Sequence, residues 1–303
     1  MTVRVVVVGD ALIDELRDDT GVREFVGGAG LNVAVGLARL GLEASLIAMV
    51  GDDPAGGRIR TYLADYGVEL IETPGPLGTS RAVSTRSGGG EPTYAFNDAA
   101  WNRRIHFGDA EHAALRDASM AVVSCFPLDD LAQTEQLARA IGDTPLAIDP
   151  NPRAGMMHDL ARFVIGFERL AAEASLVKVG EDDATMLYGE PLDWLRTRLI
   201  DLGTQVVLST YGPGGAAINA GADAVTRPIS DLPGRIVDTM GAGDAAFAAT
   251  IAGVIQRAPA DHDAWSAVLE SAMDAAAATC RFEGALLRVP SALRGMDLDG
   301  LGT

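Results

Sequence analysis

Two aspartates flank a glycine turn late in the chain, in the stretch VDTMGAGDAAFAAT at residues 237–250. Gly241 and Gly243 permit a tight backbone turn and leave the neighbouring N–H groups uncovered. The alanine-rich run that follows is typical of a helix, whose first N–H groups have no partner within the helix and attract anions. The amides of Gly241, Ala242 and Gly243 would form this anion hole, with Asp244 at its mouth.

Three interpretations of this turn follow from the residues alone. Asp244 would cap the helix without further function. The spacing of Gly241, Gly243 and Ala246 also matches the dinucleotide-binding fingerprint, although no strong apolar strand precedes it. In phosphoryl transfer to an alcohol, the anion hole would stabilise the transferred group while Asp244 accepted the hydroxyl proton. A P-loop is excluded because the single lysine of the chain, Lys178, lies elsewhere.

The elements needed to position such a turn are those of a layered α/β fold. A β-branched run at residues 5–8 and an apolar run at residues 44–51 predict strands buried on both faces. Four more interior strands are predicted at residues 120–126, 145–150, 175–180 and 205–210. Helical periodicity lies between most of them, so we expect one three-layer α/β/α domain over residues 1–303, with a mostly parallel central sheet.

Residues 79–97 break this alternation of strands and helices. Polar and apolar side chains alternate there around Gly88, Gly89 and Gly90, which predicts an inserted β-hairpin. The hairpin would be either a plain sheet edge or a lid that keeps water out of a site. Other short strands near residues 10–25 would belong to the same lid.

The composition limits the partners of the protein. The formal net charge is −18 and the pI about 4.5, so nucleic acid and anionic membranes would be repelled. The two cysteines lie far apart without metal-binding spacing, which favours a reducing compartment. No apolar run approaches the ~20 residues of a membrane span, and no secretion signal is evident. We therefore expect a cytoplasmic protein that binds small molecules.

Motifs in one order along nearly the whole chain resemble those of the ribokinase-like (PfkB) carbohydrate kinases. DTMGAGDAAFAA resembles the C-terminal signature of that family, and GGAGLNVAVGLARLG at residues 27–41 resembles its first signature. Five further stretches keep the family order, at residues 50–68, 149–153, 178–189, 210–215 and 284–290. The resemblance implies a ribokinase-like fold with a small β-flap lid, and ATP-dependent phosphorylation of a sugar hydroxyl.

The same resemblance implies roles for the residues of the glycine turn. Asp244 would be the catalytic base, and Gly241, Ala242 and Gly243 would supply the anion-hole amides. Asp238 occupies a family position that organises the loop, in some members through a monovalent cation such as K⁺. A capped turn is the alternative for Asp238.

The resemblance assigns sugar binding to residues in the first third of the chain and after one central strand. Asp14 would accept hydrogen bonds from adjacent hydroxyls. Gly27 and Gly28 would allow close backbone approach, and Asn32 would hydrogen-bond the sugar unless it caps its helix. Further candidates are Tyr94, Asn97 and Arg153.

The residues that the resemblance assigns to ATP follow later in the chain. They are Lys178, Thr210, Gly212 and Gly215. The family commonly has Asn-x-x-Glu after this lysine, whereas the corresponding residues here are Gly180 and Asp183. Asp183 keeps a carboxylate for the water shell of the Mg²⁺ that accompanies ATP.

The substrate class also follows from the resemblance. DALIDE and DPNPR are most similar to the fructokinase and 2-keto-3-deoxygluconate kinase branch. Asn97 lies where that branch often has an arginine, so we expect a neutral hexose, fructose first, ahead of ribose, other ketoses or a nucleoside. An acidic sugar remains an alternative substrate, because Arg103 and Arg104 lie close by in the sequence. Arg153 would contact the sugar or its carboxylate, unless it forms an ion pair with Asp149 or Asp159.

Two other functional classes remain open, and so does the assembly. Gly180 is compatible with a catalytically silent nucleotide- and sugar-binding relative, and the glycine turn with a Rossmann-type NAD(P) oxidoreductase. Lids of this family often pair between subunits, so the resemblance implies a homodimer through the lid.

Overall fold

The computed structural model describes residues 3–18, 21–85 and 93–294. Its strands in chain order are β1 (Arg4–Gly9), β2 (Leu12–Asp18), β3 (Gly21–Gly27), β4 (Glu43–Gly51), β5 (Glu69–Gly75), β6 (Ser80–Thr85), β7 (Thr93–Phe96), β8 (Met120–Ser124), β9 (Leu146–Asp149), β10 (Leu176–Gly180), β11 (Val206–Thr210), β12 (Ala216–Ala220) and β13 (Asp223–Arg227). Within these ranges they form a nine-stranded sheet, β13-β12-β11-β10-β9-β8-β1-β4-β5, and a four-stranded sheet, β3-β2-β6-β7.

Helices cover both faces of the larger sheet. In chain order they are α1 (Ala29–Arg39), α2 (Pro54–Asp65), α3 (Asp98–Trp101), α4 (Asp109–Arg116), α5 (Leu131–Ile141), α6 (Leu160–Ala171), α7 (Glu181–Tyr188), α8 (Leu192–Leu202), α9 (Ala242–Arg257) and α10 (His262–Thr279). In the described part of the chain, none of these helices has both the length and the apolar content needed to cross a bilayer.

The larger sheet divides two hydrophobic cores. In β1, Val5 and Val7 point into one core and Val6 and Val8 into the other, and all four are fully buried. Pairing is parallel from β11 to β5, whereas β12 and β13 run antiparallel at one edge. The predicted three-layer α/β fold with a mostly parallel sheet is confirmed.

The carboxyl ends of the parallel strands bring distant residues to one edge of the larger sheet. Asp10 follows β1, Asp149 ends β9, Gly180 ends β10 and Thr210 ends β11. Helix α9 packs against α1 above this edge. Ligand sites of open α/β sheets lie outside the carboxyl ends of their strands, so this edge is where a site is expected.

The smaller sheet contains the region in which the hairpin was predicted. Strands β6 and β7 pair antiparallel over residues 82–96, while β2 pairs antiparallel with β3 and parallel with β6. The predicted turn at residues 88–90 lies outside the described residues. Asp53 anchors this sheet to the start of α2, because its carboxylate accepts hydrogen bonds from the Thr79 N–H and hydroxyl at 2.8 and 2.7 Å.

Candidate active site

The glycine turn begins α9 with uncovered amides. Gly241 is the N-cap of the helix in a left-handed conformation, with φ of 74°, and a Cβ there would lie 2.6 Å from Ala285 Cα. The turn therefore requires glycine on both conformational and steric grounds. The Ala242 N–H makes a long hydrogen bond of 3.3 Å to the Thr239 carbonyl, whereas no described residue accepts from Gly241 or Gly243 N–H. These donors, at the positive end of a 16-residue helix, can hold an anion.

Asp244 lies one residue beyond these amides and faces a neighbouring helix. Asn32 Nδ2 on α1 donates to Asp244 Oδ2 at 2.8 Å. The capping interpretation of Asp244 is wrong, because no side chain caps α9. Burial raises the pKa of Asp244, and the Asn32 hydrogen bond and the charge of Lys178 oppose that rise. A carboxyl group with a raised pKa is better matched to proton transfer near neutral pH.

Lys178 lies beneath the same turn. Its Nζ is 3.0 Å from Asp149 Oδ2, and it lies 3.4 Å from the point that a Cβ on Gly243 would occupy. Burial lowers the pKa of Lys178, but the carboxylates of Asp149 and Asp183 outweigh burial and raise it. The ammonium group therefore stays charged next to the anion hole.

Asp14 on β2 packs directly against Gly27, the last residue of β3. A Cβ on Gly27 would lie 2.1 Å from Asp14 Oδ2, and one on Gly28, whose φ is 106°, would lie 2.8 Å from the Asp10 carbonyl oxygen. Burial, followed by the charge of Asp10, raises the pKa of Asp14 to about 7; Asp244 contributes in the same direction. The predicted sugar residues Asp14, Gly27 and Gly28 thus share one small region with the proposed base.

Asp10 fixes the start of α1. Its Oδ1 accepts a hydrogen bond from Gly30 N–H and its carbonyl from Leu31 N–H, both at 3.0 Å. Burial raises the pKa of Asp10. Because Asn32 directly follows Leu31 on α1, Asp10 also helps to set the position from which Asn32 reaches Asp244.

Arg153 lies close to these carboxylates without a fixed partner. Its side chain is exposed, and no described aspartate forms an ion pair with it. Asp149 pairs with Lys178 instead, and Asp159 caps α6 through Arg162 N–H at 3.0 Å. Against the effect of burial, the charge of Arg153 acts to lower the pKa of Asp14. The guanidinium is therefore available to a ligand.

The two neighbouring arginines are already engaged. Arg103 is buried, and its Nη1 donates to the Met156 carbonyl at 2.7 Å and to the Ala100 carbonyl at 3.3 Å. Arg104 is largely exposed and lies 3.4 Å from an oxygen of Asp130. These contacts favour structural roles for both.

The side chain of Asn97 is engaged by the backbone. Its Oδ1 accepts from Ala100 N–H, as the cap of α3, and from Arg81 N–H, while its Nδ2 donates to the Thr79 carbonyl. These contacts do not favour a bond to sugar, which stays a prediction. Tyr94 belongs to β7, but its side chain lies outside the described part of the structure.

The residues predicted for ATP surround a glycine turn after β11. Thr210 ends the strand, its hydroxyl makes only a long 3.4 Å contact with the Val179 carbonyl, and the 3₁₀ turn Gly212–Gly214 follows. Gly215 has φ of 92°, and a Cβ there would lie 2.1 Å from the Arg227 carbonyl oxygen. Strand β11 lies beside β10, which contains Lys178, so the turn is close to the anion hole. Its role in ATP binding stays a prediction.

The two predicted metal-associated aspartates bind backbone amides. Asp183 Oδ2 accepts from Gly180 N–H at 2.7 Å, and burial raises the pKa of Asp183 to about 6. Asp238 accepts from Met240 N–H at 3.0 Å and from Gly284 N–H at 3.1 Å, which closes the loop before α9. In the described ranges no group of three His, Cys, Asp or Glu side chains could hold a metal. A role for Asp183 beside magnesium, or for Asp238 beside a monovalent cation, stays a prediction.

Residues 3–292 match the model of the family described as pfkB family carbohydrate kinase. The chain belongs to this family. It is 31% identical to a fructokinase of Klebsiella pneumoniae over 267 residues, covering 84% of this chain and 85% of that protein. It is 24% identical to an ATP-dependent 6-phosphofructokinase of Thermoanaerobacterium thermosaccharolyticum over 270 residues, covering 83% and 81%.

A solved structure of a related kinase has the same fold. Aminoimidazole riboside kinase from Salmonella enterica, complexed with aminoimidazole riboside and an ATP analog, has a TM-score of 0.77 at 25% identity. The match covers 96% of this chain and 98% of that one. The predicted kinase family is thus confirmed. The dinucleotide interpretation is wrong, because no strand leads directly into α9.

Two residues that build the candidate site of this pfkB carbohydrate kinase were not predicted as site residues. Asp10 directly follows the buried strand β1, and Asp149 ends the buried strand β9. An acid at the carboxyl end of a buried parallel strand is the signal that marks both. The sequence suggests Asp149 as a partner of Arg153, whereas it pairs with Lys178.

Proposed function

We propose that the protein transfers the terminal phosphoryl group of ATP to a hydroxyl group of a neutral sugar, with fructose as the first candidate. One observation carries the proposal: the Asp244 carboxylate lies beside the uncovered amides of the α9 turn and above the buried ammonium of Lys178. A proton acceptor thus lies next to a set of hydrogen-bond donors that can hold an anion, as phosphoryl transfer to an alcohol requires.

The chemistry assigned to these groups is an in-line displacement. Asp244 accepts the proton of the sugar hydroxyl as the hydroxyl oxygen forms a bond to the terminal phosphorus, and the bond to the bridging oxygen of ADP breaks. The amides of Gly241 and Gly243 and the ammonium of Lys178 stabilise the charge on the transferred group. Asp183 would face the water shell of the magnesium that accompanies ATP, and that ion would supply further charge neutralisation.

The sugar side of the site supports a polyol. The carboxylate of Asp14 can accept from two adjacent hydroxyls, and the glycines at 27 and 28 leave backbone uncovered beside it. The fructokinase relatives support fructose as the acceptor. We also propose that the smaller sheet acts as the lid, because Asp14 lies on its strand β2. A homodimer through this sheet and a cytoplasmic location stay predictions.

Asp244→Asn tests the proposal most directly. It should reduce ADP release in a coupled assay by about 10²–10⁴-fold, while calorimetry shows ATP and fructose binding close to that of the wild type. Asp263→Asn, an exposed aspartate on α10, is the matched control and should keep full turnover. Turnover retained in Asp244→Asn would refute the assignment of the base. Binding of both substrates by a wild type that turns over no sugar would instead identify a silent relative.

Arg153 favours a second candidate, a kinase for an acidic sugar such as 2-keto-3-deoxygluconate. Its exposed guanidinium has no ion-pair partner among the described residues and can bind a carboxylate. Under this candidate, Arg153→Ala lowers kcat/KM for the acidic sugar at least tenfold and leaves the value for fructose unchanged. Comparing both sugars in both proteins decides between the candidates.

A further inference from the structure

A hydrogen bond between side chains joins the two helices that build the proposed site. Asn32 on α1 donates from Nδ2 to Asp244 Oδ2 on α9 at 2.8 Å. The donor is held firmly, because the Asn32 N–H bonds to the Gly28 carbonyl at 2.8 Å in the first turn of α1, and α1 packs along α9. The fold of α1 and its packing against α9 therefore orient the Asn32 amide towards the Asp244 carboxylate.

We propose that Asn32 is a positioning residue for Asp244, whose side-chain amide holds Oδ2 and leaves Oδ1 for the hydroxyl of the acceptor. The inference rests on the proposed role of Asp244 as the base and goes beyond sugar contact by Asn32. No described residue donates a hydrogen bond to Asp244 Oδ1. No residue in the described ranges accepts from the second N–H of the Asn32 amide, so it can donate to the sugar, and one side chain would align both reacting partners.

The hydrogen bond also decides how readily Asp244 gives up its proton. Burial raises the pKa of this carboxyl group, and the Asn32 hydrogen bond is the strongest influence against it. Two cations on other elements also lower the pKa of Asp244: Lys178 on β10 and Arg153 after β9. Three further carboxyl groups face Asp244 and oppose its ionisation: Asp10 after β1, Asp14 on β2 and Asp149 on β9. Without the Asn32 amide, burial and these three acids would raise the pKa of Asp244 further.

Asn32→Ala tests this assignment through pH dependence. A hydrogen bond to a charged group shifts an ionisation equilibrium by roughly one to two pH units. The acid limb of kcat for ATP and fructose should therefore move up by that amount, because Asp244 must be ionised to accept a proton. Asn102→Ala, at an exposed asparagine outside the site, should leave the limb in place.

A direct titration separates this inference from the proposed function. In protein labelled with ¹³C-aspartate, the Asp244 carboxyl signal is assigned by its absence in Asp244→Asn, and its midpoint is compared between wild type and Asn32→Ala. An upward shift of the midpoint supports the positioning role of Asn32, whether or not the protein phosphorylates sugar. If the midpoint shifts but no sugar is turned over, the proposed function is refuted and the positioning role is not. An unchanged midpoint with an unchanged kcat limb, and only a higher KM for sugar, would overturn the inference.

A second variant covers the case in which Asn32→Ala does not fold. Asn32→Asp keeps the shape of the side chain, but it replaces the donor with a carboxylate 2.8 Å from Asp244 Oδ2. Because two such groups resist ionising together, the midpoint of Asp244 should rise further than in the alanine variant. If the titration midpoint of Asp244 in Asn32→Asp equals that of the wild type, the inference is contradicted.

Discussion

Replacing Gly27 with alanine should disable sugar binding while leaving the fold and ATP binding intact. An added Cβ would lie 2.1 Å from Asp14 Oδ2 and 3.2 Å from its Cγ, whereas real Cβ contacts lie beyond 3.0 Å. The carboxylate must therefore withdraw by about an ångström, since the β3 backbone that carries Gly27 is fixed by pairing with β2. A misplacement of that size costs on the order of 10²-fold in a positioned reaction. The backbone itself accepts alanine, because Gly27 is not among the glycines with positive φ.

The assay is steady-state kinetics with fructose and ATP varied separately. Gly27→Ala should lower kcat/KM for the sugar about 10²-fold, with the KM for ATP and the melting temperature near those of the wild type. Gly57→Ala is the matched control, because a Cβ at Gly57 on α2 meets nothing within 4 Å. If both variants retain the same kcat/KM for sugar, Asp14 does not bind the acceptor from this position, and the reasoning is refuted.

Three further perturbations follow from the same geometry. Because the pKa of Asp14 is raised to about 7, its carboxylate is protonated below that pH and ionised above it; kcat/KM for the sugar should rise with pH through about 7, and a flat profile would contradict this. Asp149→Asn leaves Lys178 buried without its ion pair, so the free energy of unfolding should fall by roughly 3 kcal/mol in denaturant titrations. Gly241→Ala combines a φ of 74° with a Cβ 2.6 Å from Ala285 Cα; calorimetry should show a lower melting temperature, and turnover should fall at least tenfold.

The interior of the larger sheet could be predicted because its strands are apolar on both faces. The runs in β1 and β4 allow no amphipathic alternative, and their pairing follows from the alternation of strands and helices. Strand β5 was missed because its side chains are mostly half-buried at the sheet edge, and β13 because it is largely exposed. Edge strands lack the apolar signal that marks interior ones.

The residue types of the candidate site could be predicted, but the partners of those residues could not. The hydrogen bond from Asn32 to Asp244 spans 212 positions of sequence, and no local pattern specifies it. Asn97 shows the opposite case, because its local role as the cap of α3 engages a side chain that the resemblance assigned to the sugar. Tertiary contacts decide which of two chemically reasonable roles a polar side chain adopts.

The balance of charges in the site bears on the acceptor. The acids around it all have raised pKa values, with desolvation as the leading cause: Asp10, Asp14, Asp149, Asp183 and Asp244. Lys178 is paired beneath the anion hole, where the ATP phosphates would arrive. A sugar that brings its own negative charge would meet Asp14 and Asp244 with only Arg153 to compensate. A neutral polyol adds no charge and offers hydroxyl donors to the same carboxylates, so it fits without further compensation.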